Sequence, residues 1–133
     1  MRFCGIKLEN VNLLSPSVLA FVGDGVYGLC VRTKLALVNR PSGEHHKLSV
    51  EYVKATAQAK AFCVIEPFLT EEEISVFKRG RNFHTNSTPK SATNKEYHTA
   101  TGLEALFGYL YLSKRQDRIN QLFGIIWNSN EEK

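Results

Sequence analysis

Residues Ser15-Pro-Ser-Val-Leu-Ala-Phe-Val-Gly-Asp-Gly-Val-Tyr-Gly28 can be read in two ways, and the choice settles the fold class. Gly23, Gly25 and Gly28 fit the G-x-G-x-x-G spacing of a dinucleotide-binding loop, with Val18 to Val22 as its preceding strand. That reading needs a βαβ unit, and no second strand pattern follows. Asp24 would also stand inside the loop meant to cradle a pyrophosphate, where a carboxylate repels the ligand. The other reading begins at Ser15-Pro16, a side-chain cap followed by proline in a first helical turn. Val18, Leu19, Val22, Val26 and Leu29 then recur at helical spacing to about Thr33, which puts the glycines in mid-helix. Each glycine there costs about 1 kcal/mol relative to alanine, and close approach of another backbone is the usual reason to keep one. The helical reading therefore prevails, with tight helix packing expected around Asp24.

Outward from this segment the pattern stays helical. Asn39-Arg-Pro-Ser-Gly43 has turn chemistry. A second helix is expected from about Glu44 to Glu66, with Leu48, Tyr52, Ala55, Ala59 and Phe62 on one stripe and Pro67 ending it. Thr70-Glu-Glu-Glu73 forms a capping box. The short helix behind it should turn Ile74 and Phe77 inward and stop at Gly80 as a left-handed C′ residue. Arg81 to Asn94 is polar, contains Pro89 and reads as a loop. A run from about Glu96 to Leu112 carries Leu103, Phe107 and Leu110 on one face. A last amphipathic helix begins near Ser113, with Ile119, Leu122, Phe123 and Ile126 inward. No segment alternates with period two and no repeat is visible, so the class is all-α with about five helices.

The 133 residues suit one domain with one core. Hydrophobic residues at 43% and charged residues at 23% exclude disorder. No apolar run reaches the roughly 18 residues of a membrane span, and the first twelve residues lack the layout of a signal peptide. Cys4, Cys30 and Cys63 are odd in number and lie in apolar stretches. They read as reduced core thiols of a cytoplasmic protein. No Cys-x-x-Cys occurs and His45-His46 are adjacent, so a zinc site is not expected.

Two acids stand apart from the rest. Asp24 has Ala20 and Phe21 one turn before it and Tyr27 and Gly28 one turn after. Glu104 has Ala100 and Thr101 before it and Phe107 and Gly108 after. Neither shares its helical face with a Lys or Arg, so a salt bridge along its own helix does not explain it. If the two small-residue faces cross, the carboxylates converge and need a cation between them. Magnesium suits such a pair, because it takes one or two carboxylates and keeps several waters. The blander alternative has Asp24 bonding nearby amides and Glu104 reaching solvent at a helix edge.

The net charge of +4 is unevenly spread. From Ile74 through Lys95 there is no acid, while Lys78, Arg79, Arg81, Lys90 and Lys95 lie there with Asn82 and several hydroxyls. Such a set suits phosphate and sugar contacts. With Phe83 as the sole aromatic in the loop, a duplex fits better than a stacked single strand. A merely solvated basic loop is the alternative.

Together these segments resemble the Mini-ribonuclease III family, compact relatives of ribonuclease III that have the catalytic domain alone. Leu19-Ala-Phe-Val-Gly-Asp-Gly-Val-Tyr27 is similar to that family's Leu-Ala-Tyr-(Leu/Ile)-Gly-Asp-Ala-Val-Tyr signature. Lys78-Arg-Gly-Arg-Asn82 with Pro89-Lys90 resembles its basic loop. Ala100-Thr-Gly-Leu-Glu-Ala-Leu-Phe-Gly-Tyr-Leu-Tyr-Leu112 resembles its second acidic helix. His46-Lys47, Tyr52-Val53 and Ala57-Gln-Ala59 resemble the segment between. The likeness runs from about residue 14 to 122, the expected core of a single catalytic domain spanning 1–133 with no double-stranded-RNA-binding domain.

The resemblance implies a ribonuclease III-like, all-helical homodimer that hydrolyses double-stranded RNA with Mg²⁺. The implied substrate is the precursor of large-subunit (23S) ribosomal RNA. Asp24 and Glu104 fall on the catalytic and metal-binding acids, and Lys78, Arg79, Arg81, Asn82, Lys90 and Lys95 on the RNA-binding side. A ribosomal protein on the precursor is a candidate helper in binding. Two further carboxylates of full-length ribonuclease III correspond to Ala20 and Thr101 here, as in the mini family. Gly25 and Gly28 stand where Ala and Glu are common among relatives. A non-catalytic duplex-binding or ribosome-assembly protein on the same fold is the competing reading, against which retention of both Asp24 and Glu104 weighs.

Overall fold

The computed structural model of the chain describes residues 10–83 and 93–131. Within these residues six α-helices follow one another: α1 Pro16–Leu35, α2 Ser42–Val53, α3 Ala55–Ile65, α4 Glu71–Arg81, α5 Asn94–Leu112 and α6 Gln116–Glu131. A 3₁₀ turn at Val11–Leu13 precedes α1 and another at Glu66–Phe68 links α3 to α4, and no strand occurs among the described residues. None of the described helices is long and apolar enough to cross a membrane.

Local chemistry accounts for the main helix starts. Ser15 Oγ accepts from the Val18 amide at 3.3 Å, and Pro16 follows in the first turn of α1. At α4 the capping box closes both ways: Glu73 N–H donates to Thr70 Oγ1 at 3.1 Å and Thr70 N–H to Glu73 Oε1 at 2.9 Å. A second capping box, Thr93 with Glu96, starts α5 two residues earlier than the apolar periodicity indicates.

Three expectations need correction. The single helix expected over 44–66 is two helices, broken at Lys54, whose backbone is extended (φ −66°, ψ 155°). No glycine or proline stands there, so the break is tertiary in origin. Lys54 N–H still reaches Val50 O and Gln58 N–H reaches Lys54 O, so the helical bonding stops and resumes at this one residue. The break lets α2 lie on α1 while α3 turns onto α5, and α3 then buries Gln58, Ala61, Phe62 and Ile65. Gly80 is not a C′ cap; it lies inside α4. A Cβ there would stand 2.6 Å from Ala105 Cβ and 3.0 Å from Gly102 Cα, so the glycine permits α4 to press on α5. Of the cysteines, Cys30 is half-buried, with its thiol pushed up to about 11 by burial, but Cys63 is exposed. Cys4 lies outside the described residues.

Helix α5 is the axis of the fold. It packs against α1, α3, α4 and α6, and every residue from Gly102 to Leu110 is buried except Glu104. Ringed in this way, it carries apolar residues on all sides rather than on one face. Tyr27 of α1 packs edge-on to Phe107 and Phe123, with ring centroids 5.2 and 5.5 Å away.

Candidate active site

The crossing of α1 and α5 brings the two singled-out acids together. At Gly23 a Cβ would overlap the carbonyl oxygen of Glu104, and at Gly108 it would overlap that of Leu19. These two glycines allow main chain to meet main chain, which meets the expectation of close packing beside Asp24. Gly25 and Gly28 differ: a Cβ on either would meet nothing within 4 Å.

Asp24 and Glu104 stand within hydrogen-bonding and Coulombic reach of each other across this crossing. Asp24 is exposed and Glu104 half-buried, so the cleft has a wet side and a dry side. Burial raises the Glu104 pKa first, and hydrogen bonding to Asp24 and its like charge raise it further. Gln58 opposes the shift, leaving the carboxyl at about 8. Gln58 Nε2 donates to Glu104 Oε2 at 3.4 Å. Among the described residues neither acid belongs to an ion pair. The alternative in which Glu104 simply reaches solvent is not what the packing gives. Tyr27 forms the wall behind it, its own hydroxyl pKa raised by burial and by the charges of Cys30 and Glu104.

Two carboxylates with no cationic partner among the described residues suit a hydrated divalent ion held by few protein oxygens. No group of three or more His, Cys, Asp and Glu side chains gathers at one point among the described residues. The positions matching the two further carboxylates stay apolar or internally bonded. Ala20 is buried, and Thr101 Oγ1 donates to Tyr97 O at 3.1 Å.

The basic residues divide by environment. Lys78, Asn82 and Lys95 are exposed. Arg81 is half-buried, its guanidinium 5.7 Å from the Phe77 ring centroid and its Nε donating to Asn82 Oδ1 at 3.2 Å. Arg79 is also half-buried and donates to Leu14 O at 3.2 Å. Lys90 lies outside the described residues. Lys78, Arg81 and Lys95 share a cleft of about 310 Å³ with Phe62, Glu96 and Thr99, between α3, α4 and α5. Along α5, Glu104 follows Thr99 by five residues, about 7.5 Å of helix rise.

Sequence reading took Gln58 only as part of a resembling segment. The signal available was a lone amide set among alanines, one turn before Ala61 and Phe62. A polar group on an apolar face must find a partner.

A family model described as Ribonuclease III domain matches residues 17–115. The chain is 49% identical over 115 residues to the Mini-ribonuclease 3 of Thermoanaerobacter sp. strain X514, covering 86% of this chain and 81% of that one. It is 38% identical over 126 residues to the Mini-ribonuclease 3 of Clostridium tetani strain Massachusetts / E88, covering 93% and 83%. A crystal structure of a Fusobacterium nucleatum protein superposes with a TM-score of 0.83 at 29% identity, covering 92% of this chain and 99% of that one.

Proposed function

The chain belongs to the ribonuclease III family and is an endoribonuclease; from that premise we propose that it cleaves double-stranded RNA with magnesium at Asp24 and Glu104. The observation that carries the reading is the convergence of these two carboxylates, one of them half-buried, with the neutral Gln58 as the donor to Glu104 among the described residues. Metal ligands must be ionised, and a divalent cation offsets the burial and the like charge that together raise the Glu104 pKa. Bound there, Mg²⁺ supplies an activated water and charge stabilisation for phosphodiester hydrolysis. Asp24 and Glu104 hold and orient that ion, and the packing that half-buries Glu104 keeps bulk water from the deeper carboxylate.

Lys78, Arg81 and Lys95 grip phosphates from the cleft between α3, α4 and α5, Asn82 adds an amide, and Lys90 extends the same basic segment. Arg79, tied to Leu14 O, adds charge and braces α4. The working unit is a homodimer. Val18, Phe21 and Leu29 form an exposed apolar strip on α1, with Phe21 81% exposed and the unobstructed Gly25 and Gly28 between them. Beside it lies a cavity of about 390 Å³ lined by Val26, Cys30, Tyr111 and Phe123. Strips of this kind mark protein contacts, and a second copy places two sites along one duplex. The kinship with Mini-ribonuclease 3 supports the 23S ribosomal RNA precursor as substrate, in the cytoplasm, with a ribosomal protein on the precursor aiding capture.

A long RNA duplex incubated with and without Mg²⁺ and resolved on a gel tests this. Cleavage is expected with Mg²⁺ and is abolished in Asp24→Asn, which still folds and binds duplex. Wild-type protein that binds duplex but leaves it intact at all Mg²⁺ concentrations, or full activity in Asp24→Asn, overturns it.

A further inference from the structure

Of the residues that α3 buries, Gln58 is the only polar one, at 1% exposure among Ala61, Phe62 and Ile65. A buried amide is expensive unless hydrogen-bonded. Its donor group meets Glu104, 46 residues away in the chain, so the bond ties α3 to the acid-bearing turn of α5. We propose that Gln58 is a positioning residue: it holds the Glu104 carboxylate in place for a divalent cation by hydrogen bonding, without contributing charge. This rests on the reading of Asp24 and Glu104 as the cation-binding pair.

The choice of an amide is the chemical point. A free glutamate side chain has three rotatable bonds, and fixing them on ligand binding weakens that binding. A donor on Oε2 removes part of this freedom beforehand and leaves Oε1 for another partner. An arginine or lysine at position 58 would fix the carboxylate as well but would also neutralise it and compete with the ion. Glutamine orients the acid without bringing a positive charge that would compete with the ion. Hydrogen-bonded supports behind ligating carboxylates typically change metal affinity by about 10–100-fold when removed.

The test uses the whole protein without RNA, titrated with Mn²⁺ and followed by the paramagnetic resonance signal of the free ion. Gln58→Met fills the same buried volume without a donor. Its Mn²⁺ affinity is expected to fall at least about 10-fold, with an unchanged melting temperature. In duplex cleavage the Mg²⁺ concentration for half-maximal rate rises by a similar factor, while the KM for RNA stays put. A merely structural role would move melting and leave the ion affinity alone. Glu104→Gln is the control and should lose Mn²⁺ binding outright. If Glu104→Gln loses binding while Gln58→Met keeps it, the role of Gln58 is overturned and the two-acid site stands. If Glu104→Gln binds Mn²⁺ as the wild type does, the site itself is overturned and the proposal with it. Should Gln58→Met not fold, Gln58→Asn, which keeps an amide one methylene short of the carboxylate, replaces it. Weakened binding in folded Gln58→Asn supports the proposal, and unchanged binding overturns it.

Discussion

Glu73 and Glu104 are both drawn from water into the helical core, and they are treated in opposite ways. Glu73 is 2% exposed. Its Oε2 accepts from Arg118 Nε at 2.8 Å, and its Oε1 accepts from Arg118 Nη2 at 2.7 Å and from the Thr70 amide at 2.9 Å. Burial pushes its pKa up, but the two-pronged guanidinium and the backbone amide outweigh it and hold the carboxyl below the usual glutamate range. Glu104 has one long bond from a neutral amide and a second carboxylate for a neighbour, and its pKa moves the other way. The first acid is satisfied from within the chain and clamps α6 to the start of α4. The second has no cationic partner among the described residues. Burial alone does not tell the two environments apart; the charge of the neighbours does.

Substituting each acid in turn probes this contrast. The largest expected effect is on catalysis. Glu104→Gln should lower duplex cleavage by on the order of 10³-fold or more, a loss of several kcal/mol of transition-state stabilisation. Glu73→Gln should keep the rate per folded molecule within about threefold. Equal losses in the two variants would erase the distinction. Next comes stability. Glu73→Gln leaves Arg118 without its charge partner and should cost about 3 kcal/mol, roughly 10 °C in melting temperature for a chain of this size. Because the folded pKa of Glu73 is depressed, that contribution is fully present above the ordinary glutamate value of 4.5. It is lost as the pH falls through the lower, folded value, so the gap between wild type and variant should close in acid.

Glu104→Gln should act in the opposite direction in metal-free protein, raising the melting temperature at pH 8. A carboxyl raised from 4.5 to about 8 takes up a proton on folding, so wild type loses stability as pH rises through that window and the amide variant does not. A melting temperature that falls in this variant at pH 8 would count against the strained pair. The smallest effect concerns the cleft nearby. Lys78→Ala, made at an exposed site, should weaken duplex binding evenly across sequences and reduce the salt slope by about one.

Much of the fold is legible in the chain because its signals are local. Ser15-Pro16 and Thr70 to Glu73 announce two helices by capping chemistry, and Ile119, Leu122, Phe123 and Ile126 mark the core face of α6. The break at Lys54 is not legible, since no residue there forbids a helix; competing packing of α2 on α1 and α3 on α5 imposes it. Gly80 carries the same chemistry whether it ends a helix or lets two helices touch, and only the presence of α5 distinguishes the roles. Both site acids can be found from their small-residue surroundings. Gln58 escapes because its partner is distant in sequence, and pairings of that kind exist only once three helices have met.

The main-chain contact at Gly23 and Gly108 also bears on how the site fails. Asp24 adjoins one of these glycines, and the other lies one turn beyond Glu104, in the stretch of α5 enclosed on every side. Amide hydrogens of such a stretch exchange with solvent only when the whole molecule opens. The separation of the two acids is thus set by backbone atoms that have no partial way of moving apart. On heating, the surviving molecules should keep full activity up to the melting transition, and loss of cleavage should coincide with global unfolding.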